Sequence, residues 1–550
     1  MDLGVPAVAG RASSERQSPR LGSPHSRANV RSAFWLFIAV DGACLPLFVW
    51  TSRAKWFSGD EWNFLAVRSA GNLSSLFRPY NEHWSTLPIL YFRLLWNLVG
   101  LHSYLPYLAS VVVLHLTIAA LLRAVMRRGG ASPWVATISA LIFSLFGAGY
   151  FNIEFAFQIG FDGSVLFGLA YLLLVDHAGR PDRRDAVGLI AGLASLMCSG
   201  VGVTMVLVVA LAVSMRHGLR RALLHAGPLA AAFLLWFVLI GHGGYARWAS
   251  PWDVAQFTVK GLAATFGAIG HLQGVGLALA LLLLIGTAVV CRSYDLDELR
   301  ARCSVPAAML AGSVVFLVVT GVGRGVSQPG TIATQSYAAS RYLYVAAAMI
   351  LPALSIAATV LVDRWRLLVP VVFALLVVGV PGNFALLNRP GDSSASYRDF
   401  VLGLPRIPIA NQVPRSIHPD PFYDPSVTIG WLVAGVRSGR IPPPGKPYSA
   451  SETASMTLAL AWQPTRASSA GSCVRLSLPA TVQADKGATI TFKRAITVAY
   501  SFGANMETTP RELSGSSQQT TFKTYWPMVT AFGSSYQGQV AVLCEMPATG

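Results

Sequence analysis

Long uninterrupted apolar runs organise this sequence from residue 34 to residue 386, at 34–50, 105–122, 131–149, 160–175, 186–199, 201–215, 222–241, 274–290, 304–321, 342–361 and 367–386. A run apolar on every side has no polar face to turn to water. It predicts a helix inside a bilayer, where all backbone groups must bond within the segment and about 20 residues cover the hydrocarbon. Several runs are shorter than that, 186–199 most of all. The stretch Thr86–Gly100 is also short and contains Pro88, Arg93 and Asn97. Laid along the interface rather than across it, it leaves eleven spans.

Two further patterns flank these runs. Residues 1–31 are polar and rich in Ser, Pro and Arg, and read as a disordered basic tail. The first run ends in Leu-Phe-Val-Trp-Thr-Ser-Arg, which lacks the small residues of a cleavage site, so it predicts a retained helix. After residue 386 the pattern changes twice. Residues 387–470 are Pro-rich, and they predict extended chain around one short helix at Ile429–Gly439. From 471 to 550, alternating segments at Cys473–Leu478, Thr489–Lys493, Ile496–Phe502, Thr521–Tyr525 and Gln539–Glu545 are separated by Gly, Pro and Ser. They predict an antiparallel β-sandwich. The expected fold is therefore an all-α polytopic membrane domain, 32–386, followed by a soluble β-domain.

Composition agrees: 53% of residues are hydrophobic and 12% charged, against about 25% charged in soluble domains. The net charge of +17 does not point to nucleic acid. Its arginines sit in short clusters between spans, where they set orientation. With eleven spans, Arg123/Arg127/Arg128, Arg180/Arg183/Arg184, Arg216/Arg220/Arg221, Arg292/Arg300/Arg302 and Arg364/Arg366 all face the cytoplasm. The opposing loops at 151–160, 242–273 and 322–341 hold only Arg247, Lys260, Arg324 and Arg341. A twelfth crossing at 86–100 would reverse that bias. The expectation is a multi-pass plasma-membrane protein with a cytoplasmic N-terminus and an extracytoplasmic C-terminal domain. Cys44, Cys198, Cys291 and Cys303 lie in or beside spans without metal-ligand spacing and read as inert. Cys473 and Cys544 fall outside and predict a disulfide, worth ~3–5 kcal/mol for so long a loop.

Candidate chemistry concentrates in the outer loops. The first, 51–104, carries Trp56-Phe57-Ser58-Gly59-Asp60-Glu61-Trp62 and then Arg78-Pro79-Tyr80-Asn81-Glu82-His83-Trp84-Ser85-Thr86-Leu87-Pro88. The second adds Glu154 among Phe151, Phe155 and Phe157. Before the tenth span stand Arg324 and then Arg341-Tyr342. Asp41 lies mid-way along the first span, where a charge must face the bundle interior as a site or a packing partner.

This arrangement resembles the GT-C superfamily of membrane glycosyltransferases, which includes protein O-mannosyltransferases and lipid A aminoarabinose transferases. There a long first outer loop bears an Asp-Asp or Asp-Glu pair, and interfacial helices with a His-Pro segment follow. The matching residues here are Asp60-Glu61 and His83 through Pro88, with Asn-Glu-His-Trp in place of His-Pro-Pro-Leu. The resemblance implies a polyprenyl-phosphate sugar as donor and an extracytoplasmic glycan, lipid or protein as acceptor. It further implies Asp60 as general base, with Glu61 orienting it, binding a sugar hydroxyl or holding a divalent metal. Glu82, His83, Glu154, Arg324, Arg341 and Tyr342 are the substrate-binding candidates, arginine suiting the leaving phosphate.

Each residue also has a plain reading. Asp60-Glu61 could be a solvated or helix-capping pair, Arg341 an interfacial anchor, and His83 a hydrogen-bonded interface residue, no second His standing at ligand spacing. Trp50, Trp56, Trp62 and Trp84 read mainly as an aromatic belt, and Tyr525 with Trp526 as an exposed glycan-stacking pair. A transporter or flippase for a lipid or polymer is the competing function, although no internal repeat supports it. A non-catalytic envelope protein is the third.

Overall fold

The computed structural model describes residues 27–242, 249–324, 337–387, 394–421, 424–465, 472–501, 511–513 and 519–545. Most of the basic tail, 1–26, and Arg247 lie outside them. The chain opens with α1 (Arg27–Thr51), and the first loop carries the short α2 (Leu73–Phe77) and α3 (Thr86–Leu98). Next come α4 (Leu105–Arg128), α5 (Pro133–Ser144), α6 (Tyr150–Glu154), α7 (Ile159–Val175), α8 (Arg183–Leu196) and α9 (Val201–His217). Then follow α10 (Leu219–Trp236), α11 (Pro251–Gly270), α12 (Val275–Ser293) and α13 (Leu296–Arg324). The helical part closes with α14 (Ser340–Arg364), α15 (Val369–Val377) and α16 (Val380–Leu387).

Among the described residues, nine helical stretches are long and apolar enough to cross a membrane. The expected runs 186–199 and 201–215 become α8 and α9, of 14 and 17 residues. At 1.5 Å per residue these span roughly 21 and 26 Å, short of a ~30 Å core. They form a hairpin whose tip, 197–200, stops where the first loop comes down to meet it: Leu87 N–H donates to Met197 O at 3.1 Å. α14 is the central helix, buried along nearly its whole length. Asp41 faces the interior of the bundle, accepting from Ser144 Oγ at 2.6 Å, which makes it a packing partner of α5.

The expected loop at 242–273 contains α11, started by Pro251 at its first position and by Ser250, which accepts from Asp253 N–H. Both ends of α11 bond to the same end of the bundle. Ala249 N–H donates to Val322 O, and Asn383 bridges Ala268 O and Ala148 N–H. The helix therefore lies across that end. Apolar periodicity missed it because Trp252, Asp253, Gln256 and Lys260 interrupt the run. The opposite end gathers arginine clusters, with Arg128, Arg216 and Arg302 around one small hollow beside Asp176.

Residues 387–470 are less extended than expected. Besides α18 (Ile429–Arg437), they form α17 (Ser394–Gly403) and α19 (Ala450–Ala461), the last begun by a Ser449/Glu452 capping box. Beyond them run β1 (Trp462–Thr465), β2 (Ser472–Ser477), β3 (Ala480–Ala484), β4 (Thr489–Phe492) and β5 (Ile496–Ser501). β6 (Arg511–Leu513), β7 (Thr520–Thr524), β8 (Met528–Gly533) and β9 (Val540–Glu545) complete two open antiparallel sheets, ordered β1-β7-β4-β9-β2 and β3-β8-β5-β6. Pro464 is tolerated because β1 is an edge strand. Cys473 and Cys544 face each other on β2 and β9 and are disulfide-bonded.

One hydrophobic cluster runs from Phe48 and Trp62 through Trp96, Leu432 and Trp462 to Phe522 and Phe532. The first loop, residues 394–465 and the sheets thus share a core. Trp96 stacks on Trp431 at 4.8 Å, and Leu101 N–H donates to Arg440 O at 2.8 Å. Gly100 has φ +60°, and a Cβ there would meet Arg440 O at 2.2 Å, so only glycine fits this seam.

Candidate functional site

The first loop is held by a buried arginine. Arg68 donates to the carbonyls of Ser75 and Arg78 at 2.8 Å, to Pro79 O at 2.7 Å and to Asn63 Oδ1 at 3.1 Å. Burial lowers its guanidinium to about 10, so it stays charged at neutral pH. This clamp fixes the approach to a tight turn, Tyr80–His83, closed by two backbone hydrogen bonds of 3.1 and 2.9 Å. Its central residues, Asn81 and Glu82, have φ of 44° and 73°. Positive φ at both central positions marks a primed turn, where the second position ordinarily takes glycine. A glutamate there carries backbone strain, of a kind that clusters at functional sites.

Downstream, Trp84 stacks on Trp236 at 5.1 Å, and Trp236 Nε1–H donates to Phe77 O. His83 Nδ1 accepts from Gly200 N–H at 3.1 Å, and a Cβ on Gly200 would sit 2.9 Å from that nitrogen. Burial, then the nearby Arg324 and Arg341, push the His83 imidazole down to about 4. The ring is thus neutral at physiological pH. With Nδ1 accepting, its proton resides on Nε2, a donor.

These anchors shape a cavity of about 1060 Å³. Its lining is mixed. The polar residues include Asp60, Tyr80, Asn81, Glu82, His83, Arg324, Arg341 and Tyr342, and the apolar ones include Phe64, Phe157 and Phe161, Val203 of α9, Phe233 and Phe237 around the end of α10, and Phe316 and Val319 of α13. Tyr80 donates its hydroxyl to Asp60 Oδ1 at 2.5 Å, and no other side-chain hydrogen bond of Asp60 occurs among the described residues. Glu82 stands 3.7 Å from Arg324, and Arg341 lies over the Tyr342 ring at 4.9 Å. Partial burial raises the Glu82 carboxyl, while Arg324 works the other way.

Six expected site residues therefore converge on one cavity: Asp60, Glu82, His83, Arg324, Arg341 and Tyr342. Two do not line it. Glu61 is fully buried behind the loop, accepting from Tyr104 Oη–H at 2.7 Å and Ser58 N–H at 2.9 Å. Burial raises its carboxyl to about 8. Tyr104 Oη in turn accepts from Ala156 N–H, so Glu61 pins the second connection to the first. Glu154 does the same by a 3.3 Å ion pair with Lys55.

The tryptophans also divide. Trp50 is exposed, whereas Trp56, Trp62 and Trp84 are buried among aromatic neighbours instead of forming a belt. Tyr525 and Trp526 are half-buried against the shared core. Tyr80 and Gln158, which stand in the polar outer-loop segments without being acids or bases, also line the cavity. Comparisons with protein-family models, with curated proteins and with solved structures find no match to this chain.

Proposed function

We propose that this chain is a membrane glycosyltransferase of the GT-C type that moves a sugar from a polyprenyl-phosphate donor to an extracytoplasmic glycan, lipid or protein. The observation that carries this reading is the mixed lining of the cavity. Acids, a neutral imidazole and two arginines share it with apolar side chains of α9, α10 and α13. An amphiphile with an anionic headgroup and a long apolar tail matches both kinds of lining; a soluble nucleotide sugar matches only the polar part.

The chemistry follows from the side chains. The acceptor hydroxyl attacks the anomeric carbon as its proton passes to Asp60, whose Oδ2 is not held by Tyr80. The new C–O bond forms on one face while the bond to the phosphate oxygen breaks on the other, so the configuration inverts. The electron pair leaves on phosphate, where Arg324, Arg341 and His83 Nε2–H are the donors at hand. Glu61 and Glu154 act as positioning residues, holding the loop through Tyr104 and Lys55.

In this reading α8 and α9 count as crossings, giving eleven. The arginine end faces the cytoplasm, and the cavity and β-region face outward. The two sheets pack as a sandwich that handles the acceptor through Tyr525 and Trp526. The test is transfer of radiolabel from a polyprenyl-phosphate sugar in membranes carrying the full chain. The expected result is product that disappears with Asp60→Asn. Undiminished transfer by Asp60→Asn in properly inserted protein overturns the role of this acid. Absence of any polyprenyl-phosphate lipid bound to the purified chain counts against the donor.

A further inference from the structure

At the arginine end of the bundle, far from the cavity, four side chains from three segments converge. His177 lies in the turn after α7, Asp182 caps α8, Asp185 stands in its first turn, and His225 reaches across from α10. His177 Nε2 is 3.0 Å from Asp185 Oδ2 and 3.9 Å from Asp182 Oδ1. One potential ligand atom from each of these three residues lies within 4.8 Å of the other two. His225 is 1% exposed and brings Nε2 to 3.1 Å from Asp185 Oδ1. Among the described residues neither nitrogen of that ring makes a hydrogen bond, and Asp185 Oδ1 makes none either.

A buried imidazole with both nitrogens unbonded is costly and uncommon. Two donor atoms held this close but off the hydrogen-bonding line suit a shared cation. Bonds of about 2.0–2.2 Å to one tetrahedral ion set neighbouring ligand atoms roughly 3.4 Å apart. We propose that His177, Asp182 and Asp185, whose ligand atoms already cluster, form with His225, whose ring closes onto them when the ion enters, a binding site for one divalent transition-metal ion of the zinc class. Two imidazoles with two carboxylates suit zinc, whereas magnesium and calcium take all-oxygen sets.

The α8 capping box prepares the site. Asp182 N–H donates to Asp185 Oδ2 at 2.6 Å, and Arg184 N–H to Asp182 Oδ1 at 2.7 Å. Each carboxylate keeps lone pairs for a metal. Neighbouring Asp176 is no donor, being taken by Arg216 at 2.6 Å and His217 at 3.2 Å. Arg184 lies 3.4 Å from Asp182 Oδ2, on the exposed side. Arg221 is the competitor, 3.7 Å from Asp185 Oδ1 and 3.5 Å from His177 Nε2. It supplies counter-charge to the metal-free protein and swings away when an ion enters. The ion ties the α7–α8 turn to α10, a structural role that does not depend on the glycosyltransferase reading.

The experiment uses the untagged full chain in detergent, stripped with chelator, loaded with Zn²⁺, desalted and assayed for metal by mass spectrometry. About one ion per chain is expected in the wild type, and none in the double variant His177→Gln/His225→Gln. Arg221→Ala is expected to bind at least several-fold more tightly, whereas a plain ion-pair network would only lose stability. Equal metal content in wild type and double variant overturns the proposal. A readout on the wild type guards against misfolded variants: Co²⁺ loading should give the strong visible absorption of a tetrahedral ion, and its absence also overturns the site.

Discussion

The first loop has a cavity face and a core face, built from adjacent residues with opposite environments. Asp60 is exposed to the cavity with one tyrosine partner, while Glu61 behind it is fully buried and doubly bonded. On the cavity side, Glu82, His83, Arg324 and Arg341 face open volume. On the core side, Trp56, Phe57, Trp62 and Tyr104 pack edge to face with little space left. In the proposed reading the charge turned toward the cavity serves a ligand; charge turned toward protein is part of the fold. An acidic pair in sequence is therefore two single acids in space.

The sharpest way to break this comparison is to exchange the effects of the two acids. Asp60→Asn should cost ~10²–10⁴-fold in transfer and leave the thermal midpoint unchanged. Glu61→Ala should do the reverse in kind, lowering stability by about 3 kcal/mol in a denaturation series, because Tyr104 Oη–H and Ser58 N–H lose their acceptor. A Glu61→Ala variant that melts normally and loses transfer would put Glu61 back in the chemistry.

The core face also carries a pH signature. The folded Glu61 carboxyl sits at about 8 against an ordinary 4.5, so the folded state holds a proton that the unfolded chain releases. Between those values stability falls as pH rises, and above about 8 the penalty is complete. Glu61→Gln should flatten that slope between pH 5 and 8. An unchanged melting profile would mean that the acid is not held protonated.

On the cavity face, His83 is pushed down to about 4 and should not titrate between pH 5 and 8. His83→Ala should weaken donor binding about 10-fold, the worth of one hydrogen bond, and His83→Gln should recover part of it. A donor affinity that changes sharply near pH 6.5 in the wild type but not in His83→Ala would refute the neutral ring. The smallest effect is expected from Glu82→Gly. Relief of the left-handed backbone gains roughly 1 kcal/mol, and loss of the long contact to Arg324 costs roughly 0–1 kcal/mol. Stability should barely move while the apparent KM for donor rises a few-fold.

Much of the helical part is legible because a long apolar run has one physical solution in a bilayer. The helix α11, lying across an end, carries polar residues that break the run and mimic a loop, whereas the short apolar stretch that forms α3 is visible in the sequence. In the β-region, β2, β4, β5, β7 and β9 show alternation, whereas β3 is Ala-rich and β1 contains Pro464. The charged residues that line the cavity, Asp60, Glu82, Arg324 and Arg341, were legible by type and place. Which face each would take was not, since that depends on Tyr104 and Gly200, whose partners Glu61 and His83 lie 43 and 117 residues away. The burial of Trp56 and Trp62 was hidden for the same reason, their covering residues Tyr397 and Trp431 being supplied from the C-terminal region, far along the chain.

That distance has a consequence for biosynthesis. Gly59 N–H bonds Asp424 Oδ1 at 3.2 Å across a separation of 365 residues, and buried Asp424 also accepts from Tyr397. Translation at about 5–20 residues per second separates the two partners by on the order of 20–70 s. Through that interval the aromatic face of the first loop has left the insertion machinery without its cover. Chains stopped near residue 387 should therefore insert their helices yet expose that face to proteases and chaperones. Quality control could then read completion of the C-terminal region directly from the loop that carries Asp60.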